Sequence, residues 1–198
     1  MLATLAFIIA CGLSVRPAQA VPYEVTLLQV GPDVVATGNG AIDLTGLSAA
    51  GSAGFGTQIN PSIAFILTGP VLSNQNAYTP LGGFSGPGSF GPGSVTFANS
   101  GTGDAVGIGI SFGELFVPTT YISNTALSDT ATYAGATFSS LGVTPGTYVW
   151  TWGGGPDQKF TLQIGAAGVP DSGSTFGLLF VSLAALVGAH RFRGRQLA

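Results

Sequence analysis

The sequence predicts an all-β domain, a single β-sandwich with a β-barrel as the alternative, carrying a short apolar segment at each end. Three observations carry that prediction. Glycine is too dense for helices: 32 glycines and 12 prolines fall in 198 residues, and each glycine weakens a helix interior by about 1 kcal/mol. Charge is scarce, 7% of residues against a hydrophobic fraction of 45%, whereas disordered chains combine high charge with low hydrophobicity. Finally, β-rich runs recur between Gly, Pro, Asn and Asp, with no strand-helix alternation of the kind that builds parallel sheets.

The elements are taken in chain order. Residues 1–20, "MLATLAFIIACGLSVRPAQA", read as a secretory signal peptide. Leu2 to Leu13 form an apolar run too short to span a bilayer, and Ala18-Gln19-Ala20 supplies the small-x-small cleavage site at Ala18 and Ala20. No Lys or Arg precedes the run, which suggests a start codon upstream, with Met1 itself as the alternative. A second reading takes Ile8 to Cys11 as a lipobox with Cys11 lipidated, and a third takes the segment as a buried helix.

Residues 21–168 form the sandwich domain. Tyr23 to Val30 is the first strand, closed by a turn at Gly31-Pro32-Asp33. Asn39-Gly40, between apolar stretches, predicts a type I′ hairpin. "SIAFILT", "SVTFA", "AVGIGISF", "LFVPTTYI", "TATYAGATF", "TYVWTW" and "KFTLQI" are the further strands. "LGGFSGPGSFGPG", Leu81 to Gly93, repeats Gly-Pro-Gly-Ser and predicts a long flexible loop. In "TYVWTW", Tyr148, Trp150 and Trp152 share one strand face. That row is either the core side of the sandwich or a platform on which sugar rings of a polysaccharide stack; Phe160, Leu162 and Ile164 alternate across the Gly153-Gly154-Gly155 turn and favour the core.

Chemistry is conspicuous by what the body lacks. The only cysteine is Cys11 and the only histidine is His190, so residues 21–168 hold neither thiol nor imidazole. Ser-His-Asp and Cys-His catalysis and His/Cys zinc sites are thereby excluded from the body, no cofactor or metal is expected, and the protein reads as a non-enzyme. Its only base is Lys159, against Glu24, Asp33, Asp43, Asp104, Glu114, Asp129 and Asp157, which excludes nucleic acid as a partner. "GPGSFG", Gly86 to Gly91, matches a nucleotide-loop pattern without its strand-to-helix context. Glu24 or Glu114 with an aspartate would be needed for a glycosidase pair. "NSGTGD", Asn99 to Asp104, reads as a plain turn, too poor in alternate ligands for a strong calcium loop. Asn60-Pro61-Ser62 fails as a glycosylation acceptor because of the proline.

Residues 169–198 close the chain. Phe176 to Ala189 is apolar and uncharged, and as a helix it would cover about 21 Å, short of a ~30 Å hydrocarbon core. Extended back, a transmembrane helix over about 174–190 becomes just long enough, and Arg191, Arg193 and Arg195 mark its cytoplasmic end. Pro170 disfavours helix at Val169, and Asp171, Ser172 and Gly173 form turns, so this stretch stays extended at the membrane surface.

The order of these parts (Val169, Pro170, Asp171, Ser172 and Gly173, then an apolar helix, then basic residues) resembles the PEP-CTERM class of sorting domains, and most closely its VPDSG-CTERM variant. The resemblance implies an exported protein whose tail is recognised by an exosortase, a membrane-embedded transpeptidase-like enzyme of bacteria that make extracellular polysaccharide. It implies cleavage near the Val169–Gly173 turn and a destination at the cell surface or in the extracellular matrix. A retained membrane anchor and a buried core helix are the alternatives for this segment. Ala131 to Gly165 is also similar to a segment recurring in exported proteins of that class, ending in a PGTYxWTW-type hairpin. Carbohydrate binding through Tyr148, Trp150 and Trp152 is the alternative function.

Overall fold

The computed structural model describes residues 21–165, and they form two stacked β-sheets with almost no helix. Thirteen strands are present in this range: β1 Glu24–Val30, β2 Asp33–Ala41, β3 Leu47–Ala53, β4 Gly56–Asn60, β5 Phe65–Leu72, β6 Gln75–Pro80, β7 Thr96–Phe97, β8 Ser100–Gly103, β9 Val106–Gly109, β10 Glu114–Pro118, β11 Ala126–Tyr133, β12 Gly146–Thr151 and β13 Lys159–Ile164. One helical turn, α1, spans Phe138–Leu141. The first sheet runs β12-β13-β1-β2-β11-β8 and the second β3-β6-β10-β9-β5-β4-β7. Both have free edges, so the arrangement is the sandwich and not the barrel.

Alternation builds the core between the sheets. Tyr23 just before β1, Val25 and Leu27 of β1, Leu127, Ala131 and Tyr133 of β11, and Phe160, Leu162 and Ile164 of β13 point inward and are buried. From the second sheet Ile59, Ile66, Ile108, Leu115 and Val117 meet them. The outer face of the first sheet carries hydroxyls instead. The registers place Thr147, Gln163, Thr26, Thr37, Thr130 and Thr102 in one row across all six strands. Within the row Thr102 and Thr130 hydroxyls lie 3.0 Å apart, and the Thr147 hydroxyl donates to Gln163 Oε1.

The turn at Gly31-Pro32 forms where the sequence places it, a two-residue connection with Gly31 at φ +60 and Val30 opposite Asp33. The hairpin predicted at Asn39-Gly40 does not form. Both residues lie inside β2, which continues because its last residues still pair with Ala126 to Ser128 of β11. Gly40 is needed there for another reason. At φ +123 its missing side chain leaves room for Pro22 and Tyr23, whose backbone would lie 2.6–2.7 Å from a Cβ. The expected turn at Asn99–Asp104 is also replaced by a strand, since Ser100–Gly103 pairs with Asp129–Thr132.

The second sheet is apolar on its outer face as well. Phe65, Leu67, Ala77 and Phe116 form a separate cluster there, covered by Ala53, Phe55 and Ile63. Phe55, which follows β3, lies 5.4–6.0 Å from the rings of Phe65, Phe112 and Phe116. Alternate glycines in "VGIG" create the space. A Cβ on Gly109 would sit 2.8 Å from Phe65 and 2.9 Å from Phe112, and one on Gly107 would meet Leu67 and the Ile66 carbonyl. Gly109 has φ −132, so side-chain crowding rather than backbone strain selects glycine there. Gly107→Ala and Gly109→Ala are each expected to destabilise the domain by about 1–3 kcal/mol in urea unfolding. Gly154→Ala, where a Cβ meets nothing within 4 Å, should leave the midpoint unchanged.

Candidate functional site

The aromatic row is the first candidate, and the structure places it between the sheets. Trp150 is fully buried, Trp152 is 7% exposed and Tyr148 is partly buried. β12 and β13 pair with Trp150 opposite Phe160 and Tyr148 opposite Leu162, across the hairpin expected from the glycine run. Trp150 Nε1 donates to Pro87 O at 2.7 Å and Trp152 Nε1 to Asp43 O at 2.9 Å. The two indoles are packed as core residues, while Tyr148 keeps part of its surface exposed.

What encloses them is the glycine-proline segment, which is a fitted cover rather than a flexible loop. Ser85 and Thr151 exchange two backbone hydrogen bonds of 2.9 Å, Phe90 N donates to Pro61 O at 3.0 Å, and Gly93 N donates to Gly142 O at 3.0 Å. Phe90 is buried against Tyr148 and Trp150, with ring centroids 5.9 and 6.3 Å away, and Phe84 meets Trp152 at 6.0 Å. Its glycines mark contact points: a Cβ on Gly86 would strike the Trp150 indole, and one on Gly91 or Gly93 would strike the backbone of Leu141–Val143. The "GPGSFG" pattern is therefore a lining for an indole, with no helix start beside it.

The remaining polar candidates do not converge. Glu24 lies on the first sheet and Glu114 on the second. Asn99 Oδ1 accepts from Ala134 N at 2.8 Å and Asp104 Oδ2 from Ser128 N at 2.9 Å, so these oxygens clamp opposite ends of β8 to β11 and are too far apart to share one ion. A cleft of about 350 Å³ opens beside Val21, Asn39, Gly40, Asp104, Leu127 and Ser128, with Asp104 its one carboxylate. Among the described residues no group of three His, Cys, Asp or Glu side chains could hold a metal ion.

One polar cluster escaped the sequence reading. Asp129 points inward from β11, 2% exposed, and accepts from the Tyr23 hydroxyl at 2.5 Å. Thr68 of the second sheet stands 3.4 Å from the same hydroxyl and donates to Val106 O at 2.9 Å, so the cluster ties the two sheets together. The other carboxylate oxygen, Oδ1, has no partner among the described residues. Burial pushes the Asp129 carboxyl up to about 6 despite the hydrogen bond from Tyr23. Burial, with the Asp129 charge beside it, also raises the Tyr23 phenol. The signal was present in "ALSDTATY", where Asp129 takes the same parity as Leu127, Ala131 and Tyr133.

The sorting residues themselves, Val169 to Gly173 with Arg191, Arg193 and Arg195, lie outside the described residues, as do Ala18, Ala20 and the expected helix at about 174–190. Among the described residues no helix is long and apolar enough to cross a membrane. What the structure does fix is the point of departure. Gly165 N donates to Leu27 O at 2.9 Å, beyond the last β13 pair, where Leu27 faces Ile164. The chain thus leaves the sandwich from the end that carries the Gly31-Pro32 hairpin and α1. No curated protein and no solved structure matches the chain. Residues 168–192 match the family model of the VPDSG-CTERM motif, and the chain therefore carries, three residues past its last anchored backbone group, a sorting signal of the PEP-CTERM class.

Proposed function

We propose that this is an exported surface or extracellular-matrix protein, a β-sandwich without catalysis of its own, delivered through an exosortase that cuts at the Val169–Gly173 turn. The observation that carries the reading is the VPDSG-CTERM match over residues 168–192. The N-terminal segment ending at Ala18-Gln19-Ala20 supplies the expected route across the cytoplasmic membrane, and the apolar run before Arg191 a temporary stop within it. The body supports the non-catalytic half: residues 21–165 include neither Cys nor His, and their carboxylates are dispersed or bound to backbone amides. Burial of Trp150 and Trp152 leaves the sugar-stacking alternative without its platform.

Intact-mass spectrometry of the protein recovered from the producing cells tests the route. The expected species starts at Val21 and ends close to the Val169–Gly173 turn. Recovery of chains that retain Arg195 would instead establish a permanent anchor and remove exosortase processing from the account.

A further inference from the structure

The sorting turn hangs on a very short tether. Gly165 is held by its hydrogen bond to Leu27, and only three residues separate it from Val169, four Cα–Cα steps along the chain. A fully extended chain gains at most 3.3–3.6 Å per residue, so the turn begins within about 14 Å of the sandwich. On the other side the expected membrane helix starts at about residue 174. A folded enzyme that acts on this turn works within about 14 Å of the sandwich, which brings its surface up to the end from which the tail departs.

That end has the composition of a contact surface. Leu28, which follows the residue that holds Gly165, is 38% exposed, and Val30 is 54% exposed. Pro32 is exposed, and Phe138 and Pro145 lie 3.7–3.9 Å from where a Gly165 Cβ would be. The one ionisable side chain in this group, Asp33, is turned to the backbone, accepting from Gly135 N at 2.8 Å. The hairpin is held rigid as well: Gln29 Nε2 donates to Asp33 O at 2.9 Å and to Ala136 O at 3.0 Å. A rigid, partly apolar rim, whose one carboxylate is already bonded to the backbone, loses little entropy when covered.

We propose that this rim, Leu28, Val30 and Pro32 with the exposed edges of Phe138 and Pro145, is a docking surface for the extracytoplasmic side of the membrane-bound enzyme that processes the tail. The proposal rests on the processing reading above. It makes the folded body part of the substrate: the turn is recognised, and the rim supplies additional binding that the short tether enforces.

The test is the rate of tail loss in producing cells, followed by pulse-chase and intact mass. Val30→Asp places a charge on the rim at an exposed position and should slow processing about fivefold while leaving the urea midpoint in place. Ile122→Asp, at a 70% exposed site near the opposite end, should process at the parent rate. Inserting a Gly-Ser spacer of about twelve residues after Gly165 frees the turn from the body, and in that background Val30→Asp should have no effect. Detergent-solubilised enzyme separates the protein surface from the bilayer: the Val30→Asp defect persists there if the rim touches the enzyme. Parent and Val30→Asp chains processed at equal rates would overturn the proposal, as would a defect that vanishes in detergent, which would assign the rim to lipid. If the parent chain is never processed, the sorting reading itself fails, a result distinguishable from either.

Discussion

Trp150→Ala is expected to cost about 3–5 kcal/mol of folding free energy, enough to lower the melting temperature by about 10 °C. Three losses combine. The indole is fully buried, with Phe160 at 6.1 Å, Phe90 at 6.3 Å and Tyr148 at 6.5 Å between ring centroids, so its removal leaves a cavity walled by rings from β12, β13 and the cover. Pro87 O loses the donor that reaches it at 2.7 Å. The cover then loses the surface to which Gly86 is fitted. Because the segment 81–95 has no ladder of its own beyond the Ser85–Thr151 bridge, it should open first. Hydrogen exchange should show this as lost protection at Ser85 N and Thr144 N, which donate to Thr151 O and Phe90 O at 2.9 Å. Trp150→Phe keeps a ring in place and should recover a large part of the loss in urea unfolding. A Trp150→Ala midpoint within 1 kcal/mol of the parent would mean that the ring is dispensable, the behaviour of a surface platform rather than a core.

Much of this fold is legible in the sequence, and where it is not the reasons are local. The β12–β13 hairpin could be read because large residues alternate in both strands around a triple glycine. The first strand and its Gly31-Pro32 turn follow from the same kind of pattern. β3 leaves no trace of that kind: "LSAAGSA" is an edge strand with five exposed residues and no β-branched side chain, held by backbone pairing to β6 and a bulge between Ala49 and Gly51. β8, "SGTG", and β4, "GTQIN", are short and glycine-bearing, and are strands because neighbours supply their hydrogen bonds, β11 alone for the edge strand β8 and both β5 and β7 for β4. The fit of the cover is not legible because glycine and proline signal a departure from regular structure, which is true here, without saying whether the segment is packed. Its two phenylalanines were the available clue, since a solvated loop has no use for Phe84 and Phe90. The sorting tail shows the opposite balance, legible from motif order alone, with no help from packing. The candidate rim was not legible, because it depends on which end of the sandwich β13 reaches.

The stability of the domain should fall as pH rises from about 4 to about 7, and Asp129 should account for the fall. In the folded state burial holds its carboxyl up to about 6 against an ordinary value of 3.8, outweighing the Tyr23 hydrogen bond that favours the charged form. The folded protein therefore binds this proton more tightly than the unfolded chain does. Stability from the site is fully present below about pH 4, and it is lost as pH rises through about 6, an expected change of about 3 kcal/mol. Burial prevails although Tyr23, Thr68 and the Gly38 backbone favour the charged form, and Asp104, itself acidic, raises the pKa further. A Cβ on Gly38, opposite in the β2–β11 ladder, would collide with both Tyr23 Oη and the carboxylate, so there is no slack in the backbone either. The measurement is urea unfolding at several pH values for the parent and for Asp129→Asn, which keeps the shape and removes the titration. The amide leaves its NH₂ without a clear acceptor, which lowers stability by a constant amount; the informative quantity is the slope of the difference. Asp43, whose carboxyl is lowered by hydrogen bonds from Thr45 and Ser123 that outweigh its partial burial, acts in the opposite sense and below pH 4, outside this window and equally in both proteins. The parent should lose stability relative to Asp129→Asn between pH 4 and 7 and run parallel to it above. Curves that stay parallel across the whole range would show that the buried carboxyl titrates near its ordinary value, and that the Tyr23–Asp129–Thr68 bridge carries a charge at every pH the protein meets.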